Sequence, residues 1–412
     1  MDAATAKRLP QTPKSEPLSD GVKQIALART IRWIGWGFGE SLIPLFIFYF
    51  SRSFAEAGLF KSIYDIATLL TLPIIGAWAD RTPAKSLIVV ALLLYPLVGL
   101  SYFLAGVFGA AIFIVLARAL NGFCWGLEDM GVSTYYRRMS SNKTIGTSFG
   151  YIDSWSNFGW IIAALIGMFL VAFVPIHSLL LMISPFALIA LFVALRAPKD
   201  TIRKSEDTKP FVMRSYKKIF DEWRSWDGHL WLLSTLVLFS SVIDALMWFF
   251  IPIDAYINGA KPEFVVLLMV VAAVPILFGY NLGKITDKGN KYWLIAIGLV
   301  ATALIMGGVA LFPQYLIKLI ASFLLGIVLE LFSVIEKSLV TTLGPPETYG
   351  QRGGAFESVV TFGDLAAPII LGVALDILGF ASVSWIVAGV ALVLSVGYAM
   401  IRSKTPGGLK AT

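Results

Sequence analysis

The sequence is poor in the residues that form disulfides, metal sites and nucleophilic active sites. It contains one cysteine, Cys124, and two histidines, His177 and His229, in 412 residues. A single cysteine cannot form an internal disulfide. A zinc site needs a cluster of ligands and a nucleophilic enzyme needs a base beside its nucleophile, whereas both histidines lie near the ends of apolar segments. We therefore expect neither an enzyme nor a bound metal or cofactor.

Charged residues are also scarce. They make up 14% of the chain and hydrophobic residues make up 57%, whereas a soluble domain carries roughly 25% charged residues. Segments 87–100 and 293–312 are apolar on every side. That pattern is typical of helices that cross the ~30 Å hydrocarbon layer, and barrel strands would instead alternate with a period of two. The composition predicts an all-α polytopic membrane protein.

Polar breaks divide the apolar sequence into two sets of six spans. The first set is expected at 27–50, 57–79, 86–107, 110–136, 145–173 and 177–196, and the second at 230–257, 263–284, 292–312, 314–341, 353–378 and 382–402. The predicted domains are a tail (1–26), a six-helix bundle (27–196), a linker (197–229), a second six-helix bundle (230–402) and a tail (403–412).

Positive charge is distributed mainly to one side of the membrane. The net charge is +7, and all but seven of the 33 Lys and Arg residues lie in the tails or in loops that join an even span to the next odd span. The positive-inside rule then places both termini and the linker in the cytoplasm, so the charge reflects topology and not nucleic-acid binding. The basic residues expected at the opposite face are Arg52, Lys61, Lys261 and Lys318. Residues 1–24 lack the apolar core of a cleavable signal, and residues 212–226 have the composition of an amphipathic interfacial helix.

A short charged pattern follows the second span of each half. Its residues are Gly76, Asp80, Arg81 and Lys85 in the first copy and Gly283, Asp287 and Lys288 in the second. An Asp near a helix end can cap backbone N–H groups or pair with a basic side chain. Because such contacts form in only one relative placement of the helices, we expect these turns to act as a latch between conformations.

Together with Arg118, Asn121 and Gly122 in span four, these turns resemble the signatures of the major facilitator superfamily. In that family the loop between helices 2 and 3 reads Gly-x-x-x-Asp-Arg/Lys-x-Gly-Arg-Lys, and this chain departs from it at Pro83 and Ala84. The resemblance implies two pseudo-symmetric six-helix bundles around a central cavity, alternating access, and a charge cluster that holds the outward-open state. It does not specify the substrate.

Ionisable side chains within the spans are unfavourable by roughly 2.5–3.5 kcal/mol each, so they indicate a partner, a wet cavity or a function. The candidates are Glu40, Arg118, Asp244, Glu330 and Asp364. Because the family's helices 1 and 4 both line the cavity and the two residues have similar predicted depths, we expect Glu40 to pair with Arg118. Glu128, nearer a span end, is expected to be structural. Weaker candidates for the substrate cavity are Trp36, Asn121, Trp155 and Asn157.

These features predict a secondary transporter that moves a small solute by alternating access, driven by protons through Glu40. The sequence has no nucleotide-binding loop. Aromatic-rich spans with few amides favour efflux of amphipathic or apolar cargo over sugar transport, whereas the absence of the Gly-Pro motif that proton antiporters of the family carry in helix 5 counts against an exporter. A proton-coupled nutrient symporter and a lipid transporter remain open, while a sensor or an intramembrane enzyme is disfavoured. We expect a monomer in the plasma or inner membrane, with the small-molecule substrate, protons and lipid as partners.

Overall fold

A computed structural model describes residues 18–140, 145–201, 221–226, 228–342 and 349–404. The helices of the first half are α1 (Asp20–Phe50), α2 (Phe54–Arg81), α3 (Ala84–Phe108), α4 (Ile112–Met139), α5 (Ile145–Leu170) and α6 (Ile176–Arg196). The helices of the second half are α7 (Gly228–Ile257), α8 (in the pieces Pro262–Ala273, Val274–Phe278 and Gly279–Lys288), α9 (Lys291–Leu311), α10 (Tyr315–Thr342), and α11 and α12 within Tyr349–Lys404. Gly379 separates α11 from α12, since its φ of 77° is a left-handed conformation that glycine adopts readily.

The fold class predicted from composition is confirmed. Eight of the described helical segments, one of which contains both α11 and α12, are long and apolar enough to cross a membrane. Many large apolar side chains on their outer faces are exposed, as expected where lipid and not water is the surrounding solvent. The protein is an all-α membrane protein with the twelve-helix architecture of two six-helix bundles.

Three helices that face the centre of the molecule are interrupted along their length. α1 contains a 3₁₀ turn at Glu40–Leu42, α7 widens into a π-turn at Leu246–Phe250, and α8 tightens into a 3₁₀ turn at Val274–Phe278. Pro44 and Pro252 follow the first two breaks and cannot donate a backbone hydrogen bond to the preceding turn. Such irregular turns frequently mark functional positions within helices. Here they frame the space between the two halves.

The two halves pack together at one end of the bundle. The opposite end, where α1 starts and α12 ends, is called the termini end below. At the packed end of α2, a Cβ on Gly58 would lie 2.1 Å from the carbonyl oxygen of Pro368 in α11. The hydroxyl of Ser62 donates to the carbonyl of Leu365 at 2.8 Å. Toward the other end of α2, a Cβ on Gly76 would have no neighbour within 4 Å. The halves are therefore in contact at one end, whereas the described structure leaves open space beside Gly76, near the first charged turn.

The charged turns are more helical than the sequence suggested. α2 continues through Asp80 and Arg81, so these residues occupy its last helical turn and not the connection to α3. The second copy is likewise helical up to Lys288. Helix extends this far in the first copy because the next residue that disfavours it is Pro83, which restricts the backbone of the residue before it. Lys85 then lies in the first turn of α3.

Residues 202–220 of the linker, which include the first nine residues of the helix predicted at 212–226, lie outside the described residues. The last part of the predicted helix is helical over 221–225. The indole N–H of Trp223 donates to the carbonyl of Ala355 at 3.0 Å, and Trp226 is buried against aromatic rings of α7 and α11. These two tryptophans pack on an apolar surface of the second half. The position of this segment at the membrane surface stays a prediction.

Candidate functional site

A cavity of about 350 Å³ lies between the two halves, beside the breaks in α1, α7 and α8. Its charged lining residues are Arg32, Glu40, Lys61, Arg118 and Asp244, its amides are Asn121 and Asn157, and its aromatic residues are Trp33, Trp36, Tyr64, Trp125, Trp160, Trp248 and Phe249. Six of the residues selected from the sequence therefore lie around one space. The cavity is mainly aromatic and aliphatic, with a few polar groups at fixed positions, as is usual for small-molecule sites.

Glu40 lies on the 3₁₀ turn that interrupts α1. The indole N–H of Trp160, on α5, donates to its Oε2 at 2.5 Å. Trp160 is nearly buried, so this hydrogen bond fixes the direction of the carboxylate. Among the described residues no basic side chain lies within ion-pair distance of Glu40. Glu40 is thus a carboxyl group held by an aromatic donor at the wall of a cavity.

The predicted pair between Glu40 and Arg118 is not formed in this structure. The Arg118 Nη2 instead donates to the backbone carbonyl of Lys61 at 2.8 Å, and the guanidinium lies 4.9 Å from the ring centroid of Tyr64. Glu40 and Arg118, which the sequence placed at similar depths in the membrane, do line the same cavity. Arg118 is instead held by α2, which offers it a backbone acceptor and an aromatic ring.

Arg32 is the second guanidinium at this cavity, and its charge is compensated. Its Nη2 lies 2.7 Å from Oε2 of Glu128, and the hydroxyl of Tyr95 donates to the same carboxylate at 2.9 Å. The side chains of Arg32 and Glu128 are each only 2% exposed. Removal of one partner from such a buried ion pair strongly destabilises the protein, because the remaining charge is left uncompensated. The structural role expected for Glu128 agrees with this geometry, although its partner was missed.

Lys61, one of the four basic residues expected toward the opposite face of the membrane, lines the cavity. Its ammonium lies 3.1 Å from the Oδ2 of Asp65, one helical turn along α2. Lys61 lies near the start of α2, which begins at Phe54, on a side of the helix that faces the cavity. The i,i+4 spacing of Lys61 and Asp65 was the available signal, since residues four apart share a helix face.

A second pocket, of about 290 Å³, extends from the cavity into the second half. Its described lining includes the carboxyl groups of Asp244, Glu330, Glu336 and Asp364 and no Lys, Arg or His. Ser241 donates to Asp364 at 2.7 Å, and Ser240 donates to Glu336 at 3.2 Å. Asp244 lines this acidic pocket and the central cavity alike. Glu330 and Asp364, which the sequence selected as coupling or cavity candidates, line the acidic pocket and not the central cavity.

Trp155 does not face the cavity as expected. It is about half exposed on α5, and its ring packs edge-to-face against Phe158, which is also half exposed. Ile162 and Phe169 continue the same exposed stripe at helical spacing. Asn157 and Trp160 lie on the other face of α5 and line the cavity. Trp155 is accordingly part of the outer surface of the bundle.

A polar cluster that the sequence did not indicate joins the helices at the termini end. Asp200 accepts the backbone N–H groups of Ala84 and Lys85 at 2.8 and 3.1 Å, and Arg138 lies 2.7 Å from its Oδ2. Burial opposes ionisation of Asp200, but the hydrogen bonds from Arg138 and from the two backbone groups outweigh it, so its pKa lies below the ordinary value. The Lys85 ammonium donates to the carbonyl of Leu195 at 2.7 Å. Asp200 caps α3 and ties it to α4.

The remaining latch residues have no described partner. Arg81 is exposed, and a Cβ on Gly283 would have no neighbour within 4 Å. The side chains of Asp80, Asp287 and Lys288 lie outside what the structure describes. The latch therefore stays a prediction.

The sequence matches the model of the Major Facilitator Superfamily over residues 25–327, from α1 into α10. The chain belongs to this superfamily. Membership establishes an integral membrane transporter of small molecules and not an enzyme.

Two curated superfamily members from Bacillus subtilis (strain 168) resemble the chain over most of their length. Multidrug resistance protein 1 is 24% identical over 398 residues, which cover 93% of this chain and 96% of the relative. Multidrug resistance protein 2 is 18% identical over 375 residues, which cover 90% and 92%.

Solved transporter structures share the fold at low sequence identity. The nucleoside transporter NupG aligns with a TM-score of 0.75 at 16% identity and covers 94% of this chain and 100% of its own. A POT family transporter in complex with 5-aminolevulinic acid aligns with a TM-score of 0.76 at 14% identity and covers 93% and 96%. These similarities establish the fold of the chain and not its cargo.

Proposed function

We propose that this transporter exports amphipathic compounds in exchange for protons, with Glu40 as the group that binds the proton. The observation that carries the proposal is the Glu40 carboxylate, which is held at 2.5 Å by the indole of Trp160 in the wall of the central cavity. A carboxyl in such a wall changes its charge when it binds a proton. The charge-assisted hydrogen bond from Trp160 would weaken at the same time, which links protonation to the packing of α1 against α5.

The cavity lining favours cargo with a large apolar surface. Seven of its lining residues are aromatic, and Asn121 and Asn157 are the amides among them. A sugar would need hydrogen-bond partners for most of its hydroxyl groups, because a polar group left unpaired in a dry site is unfavourable. The names of the two Bacillus subtilis relatives, which are multidrug resistance proteins, agree with this choice.

The acidic pocket favours cationic over anionic cargo. A positive group placed between Asp244 and Asp364 would meet carboxylates in a medium of lower dielectric than water, where charge interactions are stronger. An anion in the same pocket would be repelled. We therefore propose that the preferred cargo is an amphipathic cation whose apolar body lies in the aromatic cavity.

The proposed transport cycle places the termini in the cytoplasm of a bacterial-type plasma or inner membrane. In that orientation the contacts between α2 and α11 would close the outer side, and cargo would enter from the inner side, where open space lies beside Gly76. Protonation of Glu40 from the outer side would then reset the transporter after each release. A monomer suffices, because the cavity lies between the two halves of one chain.

Transport into proteoliposomes under an imposed pH gradient tests this proposal, with tetraphenylphosphonium as the cationic substrate and the membrane potential clamped. An antiporter accumulates the cation only when the lumen is acidic, whereas a symporter requires the opposite gradient. Glu40→Gln keeps an acceptor for Trp160 but cannot bind the proton. It should abolish accumulation and retain counterflow exchange, and Glu263→Gln, in the first turn of α8, should behave like the wild type. Full gradient-driven accumulation by Glu40→Gln would contradict the role of Glu40.

A further inference from the structure

Lys61 lines the central cavity together with Asp244, which also lines the acidic pocket. Its main chain is anchored, because Arg118 donates to its carbonyl oxygen at 2.8 Å. Its side chain is less confined: it is 21% exposed, whereas its partner Asp65 is 8% exposed. A lysine ammonium is a compact charge on a flexible four-carbon stem and can exchange between acceptors within its reach. The backbone of Lys61 is thus fixed, whereas its ammonium group can move.

Lys61 differs from the other basic side chains around the cavity in how firmly its charge is held. Arg32 is held by Glu128, and Arg118 is held by a backbone carbonyl and the ring of Tyr64. The acidic pocket contains four carboxyl groups and no basic side chain among its described lining. Lys61 shares the central cavity with Asp244, and Asp244 also lines the acidic pocket beside Asp364. Lys337 is exposed near the end of α10 and does not line the pocket.

We propose that Lys61 is a tethered cation that determines the charge selectivity of the transport site. Its ammonium and a cationic cargo compete for the same carboxyl groups of the second half, so Lys61 weakens cation binding and permits some binding of anions. Asp65 controls the strength of this competition, because it holds the ammonium at 3.1 Å on the first half. This inference rests on the proposed function, in which the cavity and the acidic pocket bind the cargo.

Two substitutions should shift selectivity in opposite directions. Lys61→Met keeps a flexible side chain of similar length and removes the charge, so cation affinity should rise about tenfold and anion affinity should fall about tenfold. Asp65→Asn releases the ammonium toward the acidic pocket, so cation affinity should fall. Lys61→Arg keeps the charge and should change either affinity by less than about threefold.

Tetraphenylphosphonium and tetraphenylborate provide a matched test, because they have the same shape and opposite charge. Their affinities for the purified full-length chain can be measured by quenching of tryptophan fluorescence, since five tryptophans line the cavity. The measured quantity is the ratio of cation to anion affinity, which cancels unspecific partition into detergent. Lys261→Met serves as the control, because Lys261 is exposed at the start of α8. Thermal unfolding verifies that each variant is folded.

The expected result is a rise in this ratio of about a hundredfold for Lys61→Met, a fall for Asp65→Asn and no change for Lys261→Met. An unchanged ratio in Lys61→Met, with both ions binding to the wild type, would overturn the role of Lys61 and leave the proposed function standing. A shift of both variants in the same direction would reduce the Lys61–Asp65 pair to a structural contact. If the wild type binds neither ion, the proposed function and the inference both fail.

Discussion

The carboxylate of Asp376, near the end of α11, accepts the backbone N–H of Phe54, the first residue of α2, at 2.9 Å. Its other oxygen accepts the N–H of Ala55, also at 2.9 Å. The first N–H groups of a helix have no partner within the helix and carry a partial positive charge. Asp376 therefore caps a helix of the other half. This contact exists only while the two halves meet at the end opposite the termini.

Removal of that cap should open the contacting end. Asp376→Ala leaves two N–H groups without a partner, and we expect the closed conformation to lose about 0.5–2 kcal/mol, as for other helix caps. Distances between spin labels at positions 49 and 256, both exposed at this end, should shift toward longer values. Asp376→Asn can still accept one hydrogen bond and should give an intermediate shift. An unchanged distribution in Asp376→Ala would assign the cap a purely local role.

Alanine substitutions at glycines where α2 and α11 touch should disturb the closed conformation more than loss of the Asp376 cap does. Gly58→Ala places a methyl group 2.1 Å from the carbonyl oxygen of Pro368, and Gly372→Ala places one 2.4 Å from the carbonyl oxygen of Phe54. Because the obstructing atoms belong to the backbone, neither methyl group fits while the halves touch. Both variants should lose the closed conformation in the same distance measurement, more completely than Asp376→Ala. Gly389→Ala, where the added carbon has no neighbour within 4 Å, is the control and should resemble the wild type.

The buried pair of Arg32 and Glu128 should contribute mainly to stability. Glu128→Gln leaves the guanidinium without its counter-charge in a site that is 2% exposed, and we expect a loss of about 3–5 kcal/mol in the free energy of unfolding. The double variant Arg32→Met with Glu128→Gln removes both charges and should recover part of that loss. Thermal unfolding in detergent measures both effects. If the single and double variants were equally destabilised, the uncompensated charge of Arg32 would not be the cause of the loss in stability.

The sequence was informative where one physical rule dominates. Apolar length predicted the helices, and the high energy of ionisable groups in a membrane selected Glu40 and Asp244, which do line the cavity. Two positions at similar depth were not enough to predict a pair, because the acceptor of Arg118 is a backbone carbonyl of α2, which has no side-chain signature. Which half of the molecule a mid-span charge faces depends on helix rotation, and apolar spans constrain that rotation poorly.

The partners that were missed are distant in sequence. Asp376 contacts a residue 322 positions away, and Asp200 contacts backbone groups 115 and 116 positions away. Asp376 and Asp200 each lie at a helix end, where a charge is ordinary in a membrane protein and gives no signal of its own. Their backbone partners carry no side-chain signature either. Such caps between helices become visible only once the helices have been placed in space.

Asp200 gives a prediction about pH as well as stability. Its pKa in the folded protein lies below the ordinary value near 4. A depressed pKa means that the ionised form stabilises the fold above the unfolded pKa, and that this stabilisation is lost only as the pH falls through the folded pKa. Asp200 is therefore ionised in both states between pH 5.5 and 7.5. Its contribution should be constant over that range.

Asp200→Asn should accordingly lower the free energy of unfolding by about 1–3 kcal/mol, because it weakens the charge-assisted bond to Arg138 and the cap on α3. The loss should be the same at pH 5.5 and pH 7.5, as measured by thermal unfolding of the purified protein at both values. Asp221→Asn, at an exposed position of the segment before α7, should change stability by less than about 0.5 kcal/mol. A loss that diminishes from pH 7.5 to pH 5.5 would mean that Asp200 already takes up a proton in this range, contrary to the hydrogen bonds that hold its carboxylate.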